Sequence, residues 1–521
     1  MEFASILNDV LGPVMRGPSS SHTAGSYHIG RLVRDLLGED PATAAFTFDP
    51  DGSYAKTYRQ QGVDRALSAG LLGWPITDTR FARALALAPK HGLTIRFRLA
   101  RLPEADHPNT ARMEIVSKSG RRLEAVAKSV GGGMVTLTEL DGRPVLLDGR
   151  SHAVLVLVSA WQARDAERIV MADGAPHAGP PPSRTTSGGR VLLSFQRTAP
   201  LGPEPLAALS RLRGVRAVWT AGPLFPVKKG DPLFRSGSGM IEFARLKRLS
   251  LGRAALAYEA KLLGLTEREV VKEILRRYGV MRDSVRLGLS GRAVRMQLLE
   301  PSAGRVFRAE RRGALAAGGL HARAAARAMA ALHVSNSMGV VCAAPTGGSA
   351  GVLPGVIVTL AEEKKLSDER IALSLLAASA VGLVFAYRAT FAAEVAGCQV
   401  EIGAAGAMGA AAVVEASGGA ARQAADAAAI SLQNTMGSVC DLVQAMCEIP
   451  CHTRNAVAAS SAFVCADLVL GGYTNPIPLD ETVDASYASG RMLPIELRCT
   501  ALGGLAAAPS ARALRSRHRK G

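Results

Sequence analysis

Ile371-Ala372-Leu373-Ser374-Leu375-Leu376-Ala377-Ala378-Ser379-Ala380-Val381-Gly382-Leu383-Val384-Phe385-Ala386 is the most apolar run in the chain. Whether it lies in a membrane or in a protein core decides the fold. A membrane span needs about 20 apolar residues; this run falls short, and Ser374 and Ser379 interrupt it. It reads as a buried helix, so no membrane partner is expected. Around it the chain is helical almost throughout from Phe234 onward. Helices are expected over 241–249, 253–263, 267–278, 324–332, 368–387, 404–416, 421–433 and 455–470. Glycine-rich breaks at Thr346-Gly347-Gly348-Ser349-Ala350-Gly351, Ser417-Gly418-Gly419 and Gly503-Gly504 punctuate them. Alanine and glycine dominate this half, and small side chains let helix backbones approach closely.

Towards the N-terminus the pattern changes. Residues 150–226 alternate strand (152–160), helix (163–171), strand (190–197), helix (204–212) and strand (215–220). Gly179-Pro180-Pro181-Pro182-Ser183 stands where a further strand would belong and reads as a loop. This order resembles a shortened ACT-type ligand-sensing module, an α/β sandwich, with a plain structural spacer as the alternative. Residues 1–149 mix a helix (26–37) with strands (44–48, 94–99) and turns at Asp51-Gly52 and Gly131-Gly132-Gly133, an α+β domain. The expected organisation is multidomain: 1–149, 150–226, and a large, mostly helical 227–521.

Bulk properties narrow the function classes. With 48% hydrophobic and 20% charged residues, the chain of 521 is globular and exceeds one ordinary core. Its net charge is +18, but arginine is spread along the chain, and the only dense basic cluster is Arg515-Ser516-Arg517-His518-Arg519-Lys520. Without zinc-finger spacing or an RNA-binding aromatic motif, this reads as a solvated basic surface, and no nucleic-acid partner is expected. Met1-Glu2-Phe3-Ala4-Ser5 shows no basic stretch leading into an apolar one, so a leader is not expected and the location reads as cytoplasmic. All seven cysteines lie after residue 341. Clustering in one half of a large chain favours a metal site over a disulfide scaffold.

Three of those cysteines stand out: Cys398 in Ala396-Gly397-Cys398-Gln399, Cys440 in Val439-Cys440-Asp441, and Cys451 in Ile449-Pro450-Cys451-His452. Each sits at an expected helix end or turn, where a thiolate can point into a shared cavity and a helix N-terminus lowers thiol pKa. Three thiolates suit an iron–sulfur cluster with one iron left open, a Lewis acid for expelling hydroxide. Zinc held by three cysteines and a water is the rival. Near the N-terminus, Gly17-Pro18-Ser19-Ser20-Ser21-His22-Thr23-Ala24-Gly25 gathers hydroxyls, a histidine and backbone N–H groups at an expected helix start, suited to a carboxylate. An N-cap with a surface histidine is the plainer reading. His107-Pro108-Asn109-Thr110 is a second polar group, ambiguous by itself.

These motifs together resemble the iron–sulfur-dependent L-serine dehydratases, with a β-type part fused ahead of an α-type part. The resemblance extends over Leu11-Gly12-Pro13-Val14-Met15, the 17–25 block, Asp51-Gly52-Ser53-Tyr54-Ala55-Lys56-Thr57, 107–110 and Ser129-Val130-Gly131-Gly132-Gly133. It continues through 342–351, 397–403, Cys440-Asp441, Pro450-Cys451, Arg454-Asn455-Ala456 and Gly503-Gly504-Leu505-Ala506. It implies a 4Fe-4S cluster on Cys398, Cys440 and Cys451, with the substrate hydroxyl at the open iron. The reaction implied is elimination of water from L-serine, giving pyruvate and ammonia. Ser19, Ser20, Ser21 and Thr23, with His107 and Asn109, become candidate substrate-binding residues, as do Thr346, Gly348 and Asn455. A homodimer is the default.

Departures cluster at polar positions. Gln61 replaces a histidine, which leaves His22 and His333 as candidate bases. Thr390-Phe391-Ala392-Ala393 replaces Ser-x-Ser-Gly, so Thr390 keeps one hydroxyl and Ala392 loses the other. Leu332-His333-Val334-Ser335 replaces an Asn-Glu-x-Asn region, Leu442 replaces a proline, and Cys499-Thr500-Ala501 replaces Glu-Thr-Gly. Alternatives are therefore a lyase for another β-hydroxy or β-thiol amino acid, or an inactive amino-acid sensor.

Overall fold

The computed structural model describes residues 3–178, 181–292 and 294–514. Met1, Glu2, the Gly179-Pro180 pair and the terminal basic cluster lie outside the described residues. The chain forms two compact units, residues 3–23 with 230–514, and residues 24–229.

The first unit is helical. Its centre is the helix Ile402–Ala416, whose alanines and Met408 are wholly or almost wholly buried. Helices Val352–Glu363, Asp368–Arg388, Ala421–Gln433 and Cys451–Leu470 pack around it. The expected close approach of backbones is present. A Cβ added at Gly288 would lie 1.9 Å from the Ala330 carbonyl oxygen, so helices Glu267–Ser290 and Leu320–Asn336 meet backbone to backbone. The apolar run forms Asp368–Arg388, started by Ser367, whose side chain accepts from Arg370 N–H. It is the one helix among the described residues long and apolar enough to cross a membrane, yet it is mostly buried among its neighbours. The two serines that interrupt the run donate back to their own helix, Ser374 Oγ to Arg370 O and Ser379 Oγ to Leu375 O, each at 2.7 Å. Their hydroxyls are thereby satisfied inside an apolar core.

Helix ends differ from expectation where local breakers are weak. Glu267–Ser290 runs 12 residues beyond the expected end at Tyr278, because Gly279 inside a long packed helix does not terminate it. Residues 3–23 were expected with the N-terminal domain but belong to the helical unit. Ile6, Leu7, Val10 and Leu11 enter its core, and Val14–Arg16 pairs antiparallel with Val340–Cys342.

The second unit carries two sheets. In the larger, the strand order is Thr94–Leu99, Pro41–Phe48, Thr110–Ser117, Arg122–Gly131, Met134–Leu140, Arg143–Leu147. Only the first pair is parallel. Helix Gly25–Leu37 covers it with Ile29, Leu32, Val33 and Leu36. The smaller sheet is antiparallel, in the order Val215–Ala221, His152–Ser159, Arg190–Arg197, Ser183–Ser187. Ser183–Ser187 restores the strand that the sequence reading replaced by a loop, and gives the βαββαβ order. It is an exposed polar edge strand, so no apolar alternation announces it. Along His152–Ser159 successive side chains face opposite ways. Val154, Val156 and Val158 meet helices Ala163–Ala172 and Pro203–Arg211, while Leu155 and Leu157 join the core of the larger sheet. The expected division after residue 149 is therefore bridged by a shared core.

Candidate active site

Three loops of the helical unit bring the nominated cysteines together. Cys398 follows Gly397, whose φ of +73° turns the chain, and Cys398 N–H donates to Ser438 O at 2.9 Å. Cys440 bridges in parallel to Arg498, with its N–H on Leu497 O at 2.8 Å. Cys451 is the first residue of Cys451–Leu470, four residues before the expected start. The Cys398 and Cys440 thiols are in hydrogen-bond contact, and Cys451 meets Cys447 while feeling both of the others. Two cysteines that sequence reasoning did not nominate complete the group: Cys447, and Cys499, whose Sγ lies 2.8 Å from Cys440 Sγ.

None of the three nominated thiols ionises by itself. Contact with Cys440, then burial, pushes Cys398 well above the ordinary thiol range; contact with Cys447, then burial, does the same at Cys451. The helix start that was expected to lower the Cys451 pKa is outweighed. At Cys440 the bond from Cys398 acts downward, but Cys499 and burial outweigh it. Arg454 supplies local positive charge: its Nη1 donates to Val439 O (2.7 Å), lies 3.7 Å from Cys398 Sγ, and pairs with Asp441 Oδ1 at 2.9 Å. Asp441 Oδ2 in turn accepts from Leu505 N–H at 2.9 Å, pinning the segment that carries Cys499. Among the described residues, no group of three or more His, Cys, Asp and Glu side chains is arranged to hold a single ion. Thiols that each bind a separate iron need no common point.

Beside the cysteines stands the Thr346–Gly351 loop. Asn455 fixes it: Nδ2 donates to Gly348 O and Cys451 O, both at 2.9 Å, and Oδ1 accepts from Gly351 N–H at 3.2 Å. Thr346 Oγ1 bonds to Glu401, a carboxylate that sequence reasoning quoted within a motif but did not nominate. Burial pushes Glu401 up to about 7 against that bond. The carboxylate lies close against this loop: a Cβ added at Gly348 would be 2.8 Å from Glu401 Oε1. The Ser19–Thr23 block reaches the same loop, because a Cβ on Gly347 would meet Ser20 N at 2.8 Å. That block is a π-helical turn, Ser20–Ala24, capped by Ser19, whose Oγ accepts from His22 N–H at 3.1 Å. Its hydroxyls serve His22, whose Nδ1 lies 3.0 Å from Ser21 Oγ and 3.3 Å from Ser19 Oγ. His22, expected at the surface on the plainer reading, is buried.

His333 occupies the last turns of Leu320–Asn336, wholly buried, with neither ring nitrogen hydrogen-bonded. Its ring is 4.9 Å from that of His452, and His452 Nε2 is 2.6 Å from Asn336 Nδ2. Burial lowers His333 to about 4 and His452 to about 3, so both are neutral at physiological pH. Thr390 Oγ1 accepts from Ala392 N–H at 3.1 Å and so shapes the turn before Cys398. His107 and Asn109 belong to the other unit. There Asn109 is wholly buried with both amide atoms unpaired, its N–H on His107 Nδ1 at 3.1 Å.

Residues 246–506 match the family model described as "Serine dehydratase alpha chain". The chain is 38% identical over 282 residues to "Probable L-serine dehydratase, alpha chain" of Bacillus subtilis (strain 168), covering 54% of this chain and 94% of that protein. It is 34% identical to "L-serine dehydratase, alpha chain" of Peptoniphilus asaccharolyticus, covering 53% and 95% respectively. A further match, 41% identical over 157 residues, is to "Probable L-serine dehydratase, beta chain" of Bacillus subtilis (strain 168), covering 30% of this chain and 69% of that one.

Proposed function

Because the chain belongs to the serine dehydratase alpha-chain family, we propose that it is an L-serine ammonia-lyase that joins alpha- and beta-type parts in one polypeptide and converts L-serine to pyruvate and ammonia. The observation that carries this reading is the meeting of Cys398, Cys440 and Cys451 in one buried group beside the Thr346–Gly351 loop. These three would hold a 4Fe-4S cluster; the donor set is soft, buried and flanked by the Arg454 guanidinium. When bound, the cluster supplies a Lewis acid at the iron that lacks a thiolate, and hydroxide then becomes a competent leaving group.

The chain's own residues do the rest. Asn455 ties the loop to the first turn of Cys451–Leu470 and fixes the wall of the site. Ser19, Ser20, Ser21 and Thr23 hold the substrate carboxylate, with Thr390 shaping the turn that presents Cys398. His333, kept neutral by burial, has a lone pair free to take the α-proton; His22 is the second candidate base. The electron pair of the broken C–H bond forms the Cα–Cβ double bond as the β-hydroxyl leaves. Glu401, with its pKa pushed up to about 7, is partly protonated at neutral pH and can donate to the departing oxygen. The aminoacrylate that is released tautomerises and takes up water, losing ammonia. His107 and Asn109 give the other unit an amino-acid-binding site, supported by the unpaired amide of Asn109.

The βαββαβ order supports an ACT-like sensing role for residues 150–226. Seven free cysteines favour a reducing, cytoplasmic setting. A homodimer completes the reading; helix Cys451–Leu470 leaves Val457, Val464 and Leu468 exposed. Anaerobic purification tests the whole. The expected result is brown protein that forms pyruvate from L-serine, with colour and activity both lost in Cys398→Ala. Colourless wild-type protein that still forms pyruvate refutes the mechanism, and a keto acid formed only from another amino acid in a substrate panel refutes the substrate.

A further inference from the structure

In the proposed site the substrate's carboxylate, α-proton and hydroxyl each have a partner, and its α-ammonium has none. Glu394 has the complementary lack. It stands on the four-residue helix Ala393–Ala396, whose C-cap Gly397 turns the chain directly into Cys398. Its Oε1 is closed off from solvent without a hydrogen-bond partner, and Glu394 forms no ion pair among the described residues. Nothing local satisfies it. Ala392, two residues earlier, carries no hydroxyl, and Arg498, which bridges to Cys440, directs its Nη1 to Val395 O at 3.3 Å. Glu394 nevertheless belongs to the site, for its charge bears on Cys499 and on Glu401, the carboxylate bonded to Thr346. Burial pushes both carboxyl groups up. Two carboxyl groups thus share a desolvated region beside the cysteines, where an ionised one is costly unless a cation meets it.

We propose that Glu394 is the partner of the substrate's α-ammonium, its Oε1 accepting from that group. L-serine is then held at both charged ends, by the Ser19–Thr23 block at its carboxylate and by Glu394 at its nitrogen. The inference rests on the L-serine reading above. This pairing selects α-amino acids over hydroxy acids of the same size, because only a cation offsets the desolvation of the carboxylate.

The test uses anaerobically reconstituted full-length protein, with Glu394→Gln and Glu394→Asp compared with wild type. Two competitors of L-serine separate charge recognition from general damage: L-alanine, which carries the ammonium, and 3-hydroxypropanoate, which is serine without it. In Glu394→Gln, KM for L-serine and Ki for L-alanine should each rise ~10–100-fold, the size of a lost charge-assisted hydrogen bond. Ki for 3-hydroxypropanoate should stay or fall. Glu394→Asp, which restores the charge, should recover part of the loss. An unchanged KM with both Ki values unmoved in Glu394→Gln overturns the proposal and leaves the L-serine reading intact, even if kcat falls. Equal weakening of both competitors also overturns it, since that marks a structural role. Wild type that forms no pyruvate from L-serine ends both. Should Glu394→Gln fail to fold, Glu394→Asp decides. A higher Ki for L-alanine with 3-hydroxypropanoate unmoved supports the pairing, and no change at either competitor overturns it.

Discussion

Glu259 and His333 are both wholly buried in the helical unit, and their surroundings are opposite. Glu259 accepts from Ser5 Oγ at 2.6 Å, Ile6 N–H at 2.8 Å and Leu7 N–H at 2.9 Å. Glu448 is similar, taking the N–H groups of Gln297, Leu298 and Leu299. Both carboxylates stitch separate segments of the chain together, and their hydrogen bonds explain their burial. Neither nitrogen of His333 has a partner. A buried polar group without a partner costs about 1–3 kcal/mol, and such a cost persists in a folded chain where something other than stability keeps the residue. The satisfied groups hold the fold, and the unsatisfied one is the base proposed above.

Substitution at His333 should break that contrast most visibly. His333→Leu is expected to lower pyruvate formation by ~10²–10⁴-fold, the usual contribution of a positioned base. Its stability in chemical denaturation should be unchanged or higher, since no hydrogen bond is lost. Unchanged turnover with lower stability would make His333 an ordinary core residue. Glu259→Ala should do the reverse. Three donors lose their acceptor, so unfolding free energy should drop by roughly 3 kcal/mol, while turnover per folded molecule stays near wild type.

A pH series sharpens the comparison. Burial lowers the folded pKa of His333 to about 4 from an ordinary 6.5, so between those values the unfolded chain binds the extra proton. Its contribution to stability is whole above pH 6.5 and is lost as pH falls from 6.5 towards 4, by about 1.4 kcal/mol per pH unit. Subtracting the His333→Leu profile from wild type should isolate that slope, because His28, also lowered to about 4 by burial, remains in both. The smallest effect belongs to Ser374→Ala. Its hydroxyl bonds only within its own helix, so the change should be near or below about 1 kcal/mol, read from the same denaturation curves.

Much of this was legible in the sequence because the helices announce themselves. The run at 371–386 is continuous enough to read as one buried helix, and the observed Asp368–Arg388 exceeds the expected 368–387 by one residue. Cys398, Cys440 and Cys451 were chosen for their settings at turns and helix ends, and those settings do bring them together. Helices Val352–Glu363 and Leu479–Arg491 were not anticipated, the first being mostly apolar without a polar face and the second largely polar. Cys499 and Glu401 were passed over because their roles depend on contacts made across the fold, 59 residues from Cys440 and 55 from Thr346. No local periodicity encodes such pairings. Arg454 and His452 lay beside nominated residues, and adjacency to Cys451 was the one cue that could have found them.

The most direct measurement is the Mössbauer spectrum of anaerobic protein reconstituted with isotopically enriched iron, recorded with and without L-serine. Thiolates from Cys398, Cys440 and Cys451 predict a cluster in which one iron subsite alone shifts when serine is added. A spectrum that shows no cluster, or one whose irons all ignore serine, would contradict it.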